Sequence, residues 1–230
     1  MDRPNNRATL QRRHLLAGLA GAPLIALPAA ARAQSTQQAL RPSPSQTLGP
    51  FYPRNAAERP RATDADLLTV ENGKVLTEGV PIFLLGRVRD ARGTVLAGAT
   101  VEIWQCDGFA VYHHPAGGAV DQRDVHFQGY GVARTDEAGA FRFRTIRPIA
   151  YPGRTPHIHV RIQPPEGQGR PFATQLYLPD DPGNARDFLF GRLSRDEQQA
   201  LLLRFEPTRG ADHPLAQATQ LTARADLVVG

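Results

Sequence analysis

Residues 151–162 read YPGRTPHIHVRI, and their second half alternates strictly between two kinds of side chain. One side of the alternation carries His157, His159 and Arg161, and the other carries Ile158, Val160 and Ile162. A period of two is that of a β-strand, so both imidazoles leave the same face of one strand. Because the aliphatic face can anchor this strand in a core, the two histidines form a rigid pair of candidate metal ligands. An H-x-H pattern alone is equally compatible with an ordinary surface strand, so the rest of the chain has to decide.

The composition is that of an ordinary globular domain. The chain is 41% hydrophobic and 21% charged, as globular proteins usually are. Its 230 residues are enough for one domain with a real core. The 21 glycines and 20 prolines favour many turns and short strands over long helices. Cys106 is the single cysteine, so an intrachain disulfide framework and a cysteine-based zinc site are both excluded.

The excess of positive charge belongs mostly to the N-terminal leader. The formal net charge is +5, but residues 1–33 hold five arginines and one aspartate, which leaves a balance of +1 for the rest. No nucleic-acid role follows from this charge. Arg12 and Arg13 precede a short apolar run, and the pattern A-x-A ends at Ala33. These features predict a signal peptide over residues 1–33, of the twin-arginine type, with cleavage near Ala33.

The leader predicts export to the periplasm or secretion of the mature chain, without a membrane span. The alternatives are a general secretory signal that happens to contain two arginines, or an uncleaved anchor. Residues 34–46 are polar and contain proline, which indicates a linker or an N-terminal arm. Residues 47–53 (TLGPFYP) carry two aromatic rings on a backbone shaped by glycine and proline, so we expect them to dock on the body of the domain.

Short strands separated by Gly/Asp turns account for most of residues 47–230. The predicted strands are Ile82–Val88, Thr100–Cys106, Gln128–Arg134, Ala140–Ile146, His157–Ile162, Phe172–Leu178 and Leu221–Val229. Ser194 begins a predicted helix that runs to Phe205 and stops before Pro207. Arg142 and Arg144 are expected on a solvated strand face. The sequence therefore predicts an all-β sandwich of mostly antiparallel strands, with long loops and a short C-terminal helix.

The long segment after Cys106 adds oxygen and nitrogen donors to the histidine pair. It contains Tyr112, His113, His114 and His126, and Tyr151 lies just before the histidine strand. Two phenolates and two neutral imidazoles would suit ferric iron better than zinc. A phenol titrates near pH ~10, so it ligates at neutral pH only if the metal displaces its proton. Tyr130, His113 and His114 stay open as rivals to Tyr112.

An ordered set of motifs resembles the intradiol ring-cleavage dioxygenases, the catechol and protocatechuate 3,4-dioxygenase family. The resemblance runs from about Thr47 to Pro179. Its motifs are TLGPFY at 47–52, VEIWQ at 101–105, G-x-G with TD at 129–136, TI-x-P at 145–148, YP at 151–152, R-x-PHIH at 154–159 and TQLY at 174–177.

The resemblance implies a ferric ion, Fe(3+), held by two tyrosines and two histidines. The matching ligands in this chain are Tyr112, Tyr151, His157 and His159. It also implies that a catechol and O2 react to give a cis,cis-muconate-type diacid. Tyr151 matches the ligand that substrate displaces and that can take a proton. Arg154 would stabilise negative charge on the reacting ring carbon, and Gln175 would help to orient it.

The resemblance is to the small, exported branch of the family. The chain shows a leader instead of the long helical dimerisation segment of the catechol 1,2-dioxygenase kind, and Gly153 suggests an open substrate site. Which catechol derivative is cleaved stays open, and a homo-oligomer is compatible with the sequence. Two other classes are retained: an exported β-sandwich binding module that has lost iron, and a copper or zinc site built on H-x-H. The latter would need further histidines and an aspartate.

Overall fold

The computed structural model describes residues 39–60, 63–72, 74–118, 120–208, 219 and 221–230. The signal peptide at 1–33 and the cleavage position near Ala33 lie outside the described residues and stay predictions. Within the described ranges, no helix is long and apolar enough to cross a bilayer. Residues 39–46 run along the body of the domain, because Leu40, Ser43 and Gln46 donate backbone hydrogen bonds of 2.8–2.9 Å to it.

The described part of the chain is mostly strands. They are β1 (Val70–Glu71), β2 (Lys74–Val75), β3 (Pro81–Asp90), β4 (Thr100–Trp104), β5 (Tyr130–Arg134), β6 (Ala140–Ile146), β7 (His157–Gln163), β8 (Phe172–Tyr177), β9 (Arg204–Pro207), β10 (Leu221–Arg224) and β11 (Leu227–Val229). One α-helix, α1 (Arg195–Leu201), lies within the described ranges, together with short 3₁₀ turns at Val120–Gln122, Pro182–Arg186 and Phe190–Arg192.

Two main sheets confirm the predicted sandwich. One has the order β5-β4-β7-β8 and is antiparallel throughout. In the other, β3 pairs antiparallel with β6 and parallel with β10 and then β11, while β9 flanks β10. The predicted strand Leu221–Val229 is therefore split at Ala225 and Asp226, and both halves run parallel to β3. Strands β1 and β2 form a small separate hairpin.

The inner faces of the two sheets form the main core, as the alternation predicts. Ile158, Val160 and Ile162 are fully buried there against Ile103 and Leu84. The opposite face of the β4–β7 sheet carries a second, aromatic cluster that includes Trp104, Tyr112 and Tyr130. Residues 47–53, hereafter the arm, were expected to dock on the domain, and they cover this cluster, because Leu48, Phe51 and Tyr52 pack into it. Both histidines of β7 lie on this covered outer face.

The predicted helix was too long. The capping signal is confirmed, since Ser194 Oγ accepts from the Glu197 amide at 3.4 Å while Glu197 bonds back to the Ser194 amide at 2.8 Å. However, α1 ends at Leu201, and Phe205 belongs to β9, where it pairs with Ala223. Pairing with a distant strand has outweighed the local helical pattern, as it often does.

Arg144 was also misassigned. Arg142 is exposed as predicted, but Arg144 is buried and forms a bidentate ion pair with Asp66, with Nε–Oδ1 and Nη2–Oδ2 distances of 2.7 and 2.5 Å. The cause is a neighbouring segment that the strand pattern does not reveal. Ala65 accepts from the Arg144 amide and Leu67 donates to the Arg144 carbonyl, so residues 65–67 cover this side of β6.

Candidate metal centre

The two histidines of β7 face each other across a very short gap. Their Nε2 atoms lie 3.2 Å apart, and both residues are 2% exposed. β7 is a central strand, so its neighbours fix its position: Trp104 of β4 lies beside His159 on one side, and Gln175 of β8 lies beside it on the other. The strand period and the pairing of β7 with β4 and β8 therefore hold two imidazoles on one rigid face.

Burial keeps both imidazoles neutral, and the tautomer of His157 is fixed by its hydrogen bond. His157 Nδ1 lies 2.6 Å from the Thr155 carbonyl, which can only accept, so the proton sits on Nδ1 and the lone pair on Nε2. His159 Nδ1 has no hydrogen-bond partner among the described residues. Burial, followed by the charge of Arg154, lowers the pKa of His157 to about 4. Burial, His157 and Arg154 together hold the pKa of His159 well below its usual value.

A fully buried carboxylate shapes the loop that carries Tyr112. Asp107 follows β4, and its two carboxylate oxygens accept four hydrogen bonds of 2.8–3.1 Å. The donors are the amides of Phe109, Val111 and Asp124 and the ring Nε2 of His113. Sequence reasoning missed this anchor, because Asp107-Gly108 carried only the signal of a turn.

Tyr112 is the donor of this loop that reaches the histidine pair. Its ring is 6.2 Å from that of His159 and 5.4 Å from that of Tyr151, nearly perpendicular to the latter. Its hydroxyl is buried and has no hydrogen-bond partner among the described residues. The rivals are engaged elsewhere, since His113 contacts Asp107 and His114 Nε2 lies 3.4 Å from Glu58.

Tyr130, the other rival, sits in β5, where it pairs with Trp104 of β4. Burial, and then the charge of Glu102, raises the pKa of its hydroxyl well above the usual value. The structure therefore separates Tyr130, a strand residue near Glu102, from Tyr112, which lies next to Tyr151 and His159.

Tyr151 reaches the site from a tight turn. The Arg154 amide donates to its carbonyl at 2.9 Å, and Gly153 takes the left-handed conformation with φ +84°. The Tyr151 ring is 5.6 Å from that of His157 and is only half-buried. A Cβ on Gly153 would meet nothing within 4 Å, so the turn borders open space.

Both phenols are protonated unless a cation displaces their protons. Burial, and then the neighbouring Cys106 and Tyr151, raises the pKa of Tyr112 well above its usual value. Burial also raises the pKa of Tyr151, although Arg154 opposes the shift. The Tyr151 hydroxyl is close enough to affect the pKa of Tyr112, although no contact between the two hydroxyls meets normal hydrogen-bond geometry.

Arg154 is held at the edge of the site by two side-chain acceptors. Its Nε donates to Asp187 at 2.7 Å and its Nη2 donates to Gln175 at 2.6 Å. The remaining nitrogen, Nη1, lies 3.4 Å from His157 Nε2. A fixed positive charge thus lies next to the Nε2 atoms of the histidine pair.

Aromatic rings form the walls of the site. Trp104 stacks on His159 with centroids 4.8 Å apart and planes 7° apart. Phe51 of the arm stacks on Tyr112 at 4.3 Å and meets the edge of Tyr151 at 6.2 Å. The sequence predicted docking of the arm but gave no sign that Phe51 or Trp104 would contact the candidate ligands.

The donor set fits a hard, trivalent metal ion. The structure brings together the six predicted site residues: Tyr112, Tyr151, Arg154, His157, His159 and Gln175. The hydroxyl of Tyr112 has no hydrogen-bond partner in the described structure, and the contacts of the two Nε2 atoms there are with each other and with Arg154 Nη1, which leaves these donors accessible to a cation. In the described part of the chain, no three His, Cys, Asp or Glu residues cluster as a metal site, so the oxygen donors here are phenols.

Comparison with known proteins points to one family. A family model described as "Dioxygenase" matches residues 48–218. The protocatechuate 3,4-dioxygenase beta chain of Burkholderia cepacia is 35% identical over 168 residues, which cover 67% of this chain and 68% of that protein. A hydroxyquinol 1,2-dioxygenase of a Rhizobium species is 31% identical over 169 residues, 65% of this chain and 52% of that protein. The chain thus matches about half the length of the latter.

A solved structure shares both fold and sequence. It is the dioxygenase domain of a dioxygenase carbohydrate-binding protein fusion from the cellulolytic bacterium Streptomyces sp. SirexAA-E. The two align with a TM-score of 0.57 and 32% identity, over 82% of this chain and 98% of that one.

Proposed function

The chain belongs to the intradiol ring-cleavage dioxygenases, and we propose that it is a non-haem ferric enzyme that uses O2 to open catechol-type rings to cis,cis-muconate-type diacids. Family membership rests on the match over residues 48–218. The observation that carries the proposal is the convergence of two neutral imidazoles and two phenols beside one fixed guanidinium. No binding role without a metal would need the buried, unpartnered hydroxyl of Tyr112.

Tyr112, Tyr151, His157 and His159 would hold the ferric ion. When bound, it would supply a Lewis acid that draws electron density from a catechol ring and so makes the ring reactive toward dioxygen. The two phenolates match the charge of a trivalent ion, and the neutral histidines add none.

Tyr151 is the candidate base. It lies on an exposed turn and is only half-buried, whereas Tyr112 is buried under Phe51. Tyr151 can therefore move aside for substrate more easily than Tyr112. Because burial raises the pKa of Tyr151, its released oxygen would take up a proton from the catechol readily.

Arg154 and Gln175 provide the electrostatic part of the mechanism. The Arg154 guanidinium would face the ring carbon on which negative charge develops, as a cation placed before the reaction begins. Gln175 accepts from Arg154 Nη2 at 2.6 Å and donates to the Thr47 carbonyl at 3.5 Å, so it fixes the guanidinium plane against the arm. We also propose that the enzyme acts outside the cytoplasm, because the twin-arginine pattern of residues 1–33 precedes the domain.

The visible absorption spectrum of the purified protein tests the proposal. A broad tyrosinate-to-iron band that shifts to longer wavelength with catechol under anaerobic conditions is the expected result. His159→Gln should abolish the band, whereas His126→Gln, which changes a loop histidine outside the site, should retain it. A protein that stays colourless after ferric reconstitution would favour a β-sandwich binding module that has lost iron. Bound copper or zinc, found by metal analysis, would favour a copper or zinc site built on the H-x-H pattern.

A further inference from the structure

Asp187 is a buried carboxylate outside the candidate ligand set. Its side chain is fully buried, and each oxygen accepts two hydrogen bonds. Oδ1 accepts from the amides of Leu189 at 3.0 Å and Phe190 at 2.9 Å. Oδ2 accepts from the Thr155 amide at 3.0 Å and from Arg154 Nε at 2.7 Å. One carboxylate therefore ties the loop after Pro182–Arg186 to the turn that leads into β7.

The Arg154 guanidinium has three nitrogens, and side-chain hydrogen bonds hold two of them. Asp187 holds the Nε side and Gln175 holds Nη2, which leaves Nη1 directed at the histidine pair. The Phe188 ring adds a contact of 5.4 Å to the guanidinium carbon. An arginine side chain has several rotatable bonds and would otherwise sample many orientations.

We propose that Asp187 is the positioning residue that orients the Arg154 guanidinium toward the reacting ring, and that the reaction with O2 depends on this orientation. Nothing in the sequence resemblance assigns it this role. The inference rests on the proposed function, because Arg154 matters for chemistry only if the site cleaves a catechol ring. Asp187 acts through Arg154, since its own side-chain hydrogen bonds go to Arg154 and to backbone amides and none goes to a candidate metal ligand.

A nearby aspartate provides a matched control. Asp181 caps the same Pro182–Arg186 turn, accepting from the Gly183 amide at 2.8 Å and from Thr155 Oγ1 at 3.3 Å. It makes no hydrogen bond to Arg154 in the described structure. Asp181→Asn therefore perturbs the same loop without changing the acceptor of the guanidinium, and Asp187→Asn perturbs both.

The first test needs no metal. In the metal-free wild type, heteronuclear NMR should show an Arg154 Nε–H signal protected from exchange with water, because Nε donates to a buried carboxylate. In Asp187→Asn this proton should exchange at least ~10-fold faster, because a neutral amide is a weaker acceptor than a carboxylate. Asp181→Asn should leave it protected. Retained protection in Asp187→Asn would overturn the assignment, whatever the protein catalyses.

The second test follows the reaction of the anaerobic catechol complex with O2. Asp187→Asn should retain iron and the catechol-shifted band, and kcat should fall by about 10- to 100-fold while KM changes less than ~3-fold. In an Arg154→Gln background, Asp187→Asn should lower kcat by less than a further ~3-fold. An equal loss in both backgrounds, or a loss no greater than that of Asp181→Asn, would overturn the positioning role. A wild type without an iron band would defeat the proposed function instead, and the metal-free experiment would still decide whether Asp187 orients Arg154.

Discussion

Tyr112→Phe should raise the stability of the metal-free protein and lower its affinity for ferric iron. The hydroxyl of Tyr112 is buried and has no hydrogen-bond partner in the described structure. Phenylalanine would keep the ring and its stacking on Phe51, with centroids at 4.3 Å. The substitution therefore removes a poorly accommodated polar atom and little else.

The gain follows from the cost of an unsatisfied buried polar group. That cost is about 1–3 kcal/mol relative to the solvated hydroxyl, and part of it is relieved by local adjustment. We expect the free energy of unfolding of the metal-free protein to rise by about 1 kcal/mol, or ~2–4 °C in Tm for a domain of this size. In the proposed ferric protein the same change would remove a ligand, so the affinity for iron should fall by more than the ~10–100-fold that outer-shell partners contribute.

Urea unfolding after chelator treatment, and ferric titration followed in the visible, measure the two effects separately. Tyr130→Phe is the control for iron binding, because its hydroxyl is also buried but lies in β5 beside Glu102. It should leave iron binding unchanged. A metal-free Tyr112→Phe that is less stable than wild type would refute the reasoning, since the hydroxyl would then have a partner, with Tyr151 the neighbour to examine.

Three further predictions concern the scaffold. Ala110 has φ +66°, so Ala110→Gly should raise the free energy of unfolding by about 1 kcal/mol in urea, and a decrease would show that this loop is not strained. Asp66→Ala should lower it by about 1–2 kcal/mol, because the buried Arg144 loses its carboxylate while the 42% exposed Asp66 side chain leaves the pair partly screened by water; an unchanged stability would contradict this account. Burial raises the pKa of Cys106 to about 12, so a thiol reagent at about pH 9 should label it only after unfolding, and rapid labelling of the native protein would contradict its burial.

The elements that the sequence predicted correctly are those whose pattern is local. The alternation in β7 separates His157 and His159 from the three aliphatic residues that enter the core, and a strand admits no other arrangement. The capping signal at Ser194 likewise depends only on residues within one turn. In both cases the deciding interactions lie within a few positions of the chain.

The errors share a different cause. Arg144 is buried because residues 65–67, far away in the sequence, pair with it, and its partner Asp66 comes with that segment. The predicted helix fails beyond Leu201 because Phe205 pairs with Ala223 of β10. A pattern along one segment cannot show which distant segment will cover it, so tertiary pairing decided both.

The candidate site combines these two kinds of information. Its histidines are placed on one face by the period of one central strand, so spacing alone made them candidates, and the resemblance to a family then identified them as ligands. Tyr112 and Arg154 lie on loops, and spacing could not place them; only the resemblance to a family did. The structure shows that each loop is fixed by a fully buried aspartate that accepts four hydrogen bonds, Asp107 for Tyr112 and Asp187 for Arg154.

Those two aspartates have the electrostatic character that such a task requires. Burial alone would raise the pKa of each, but the hydrogen bonds outweigh it, so the net pKa of each lies below its usual value and each carboxylate stays charged. A charged acceptor binds amide and guanidinium donors more strongly than a neutral one, which lets a loop hold its shape almost as firmly as a strand. The histidines are thus held in place by the apolar alternation of their strand, whereas Tyr112 and Arg154 are held by loops that buried carboxylates fix. In the sequence both aspartates look like ordinary turn residues, because their donors are mostly backbone amides, which carry no residue-specific signal.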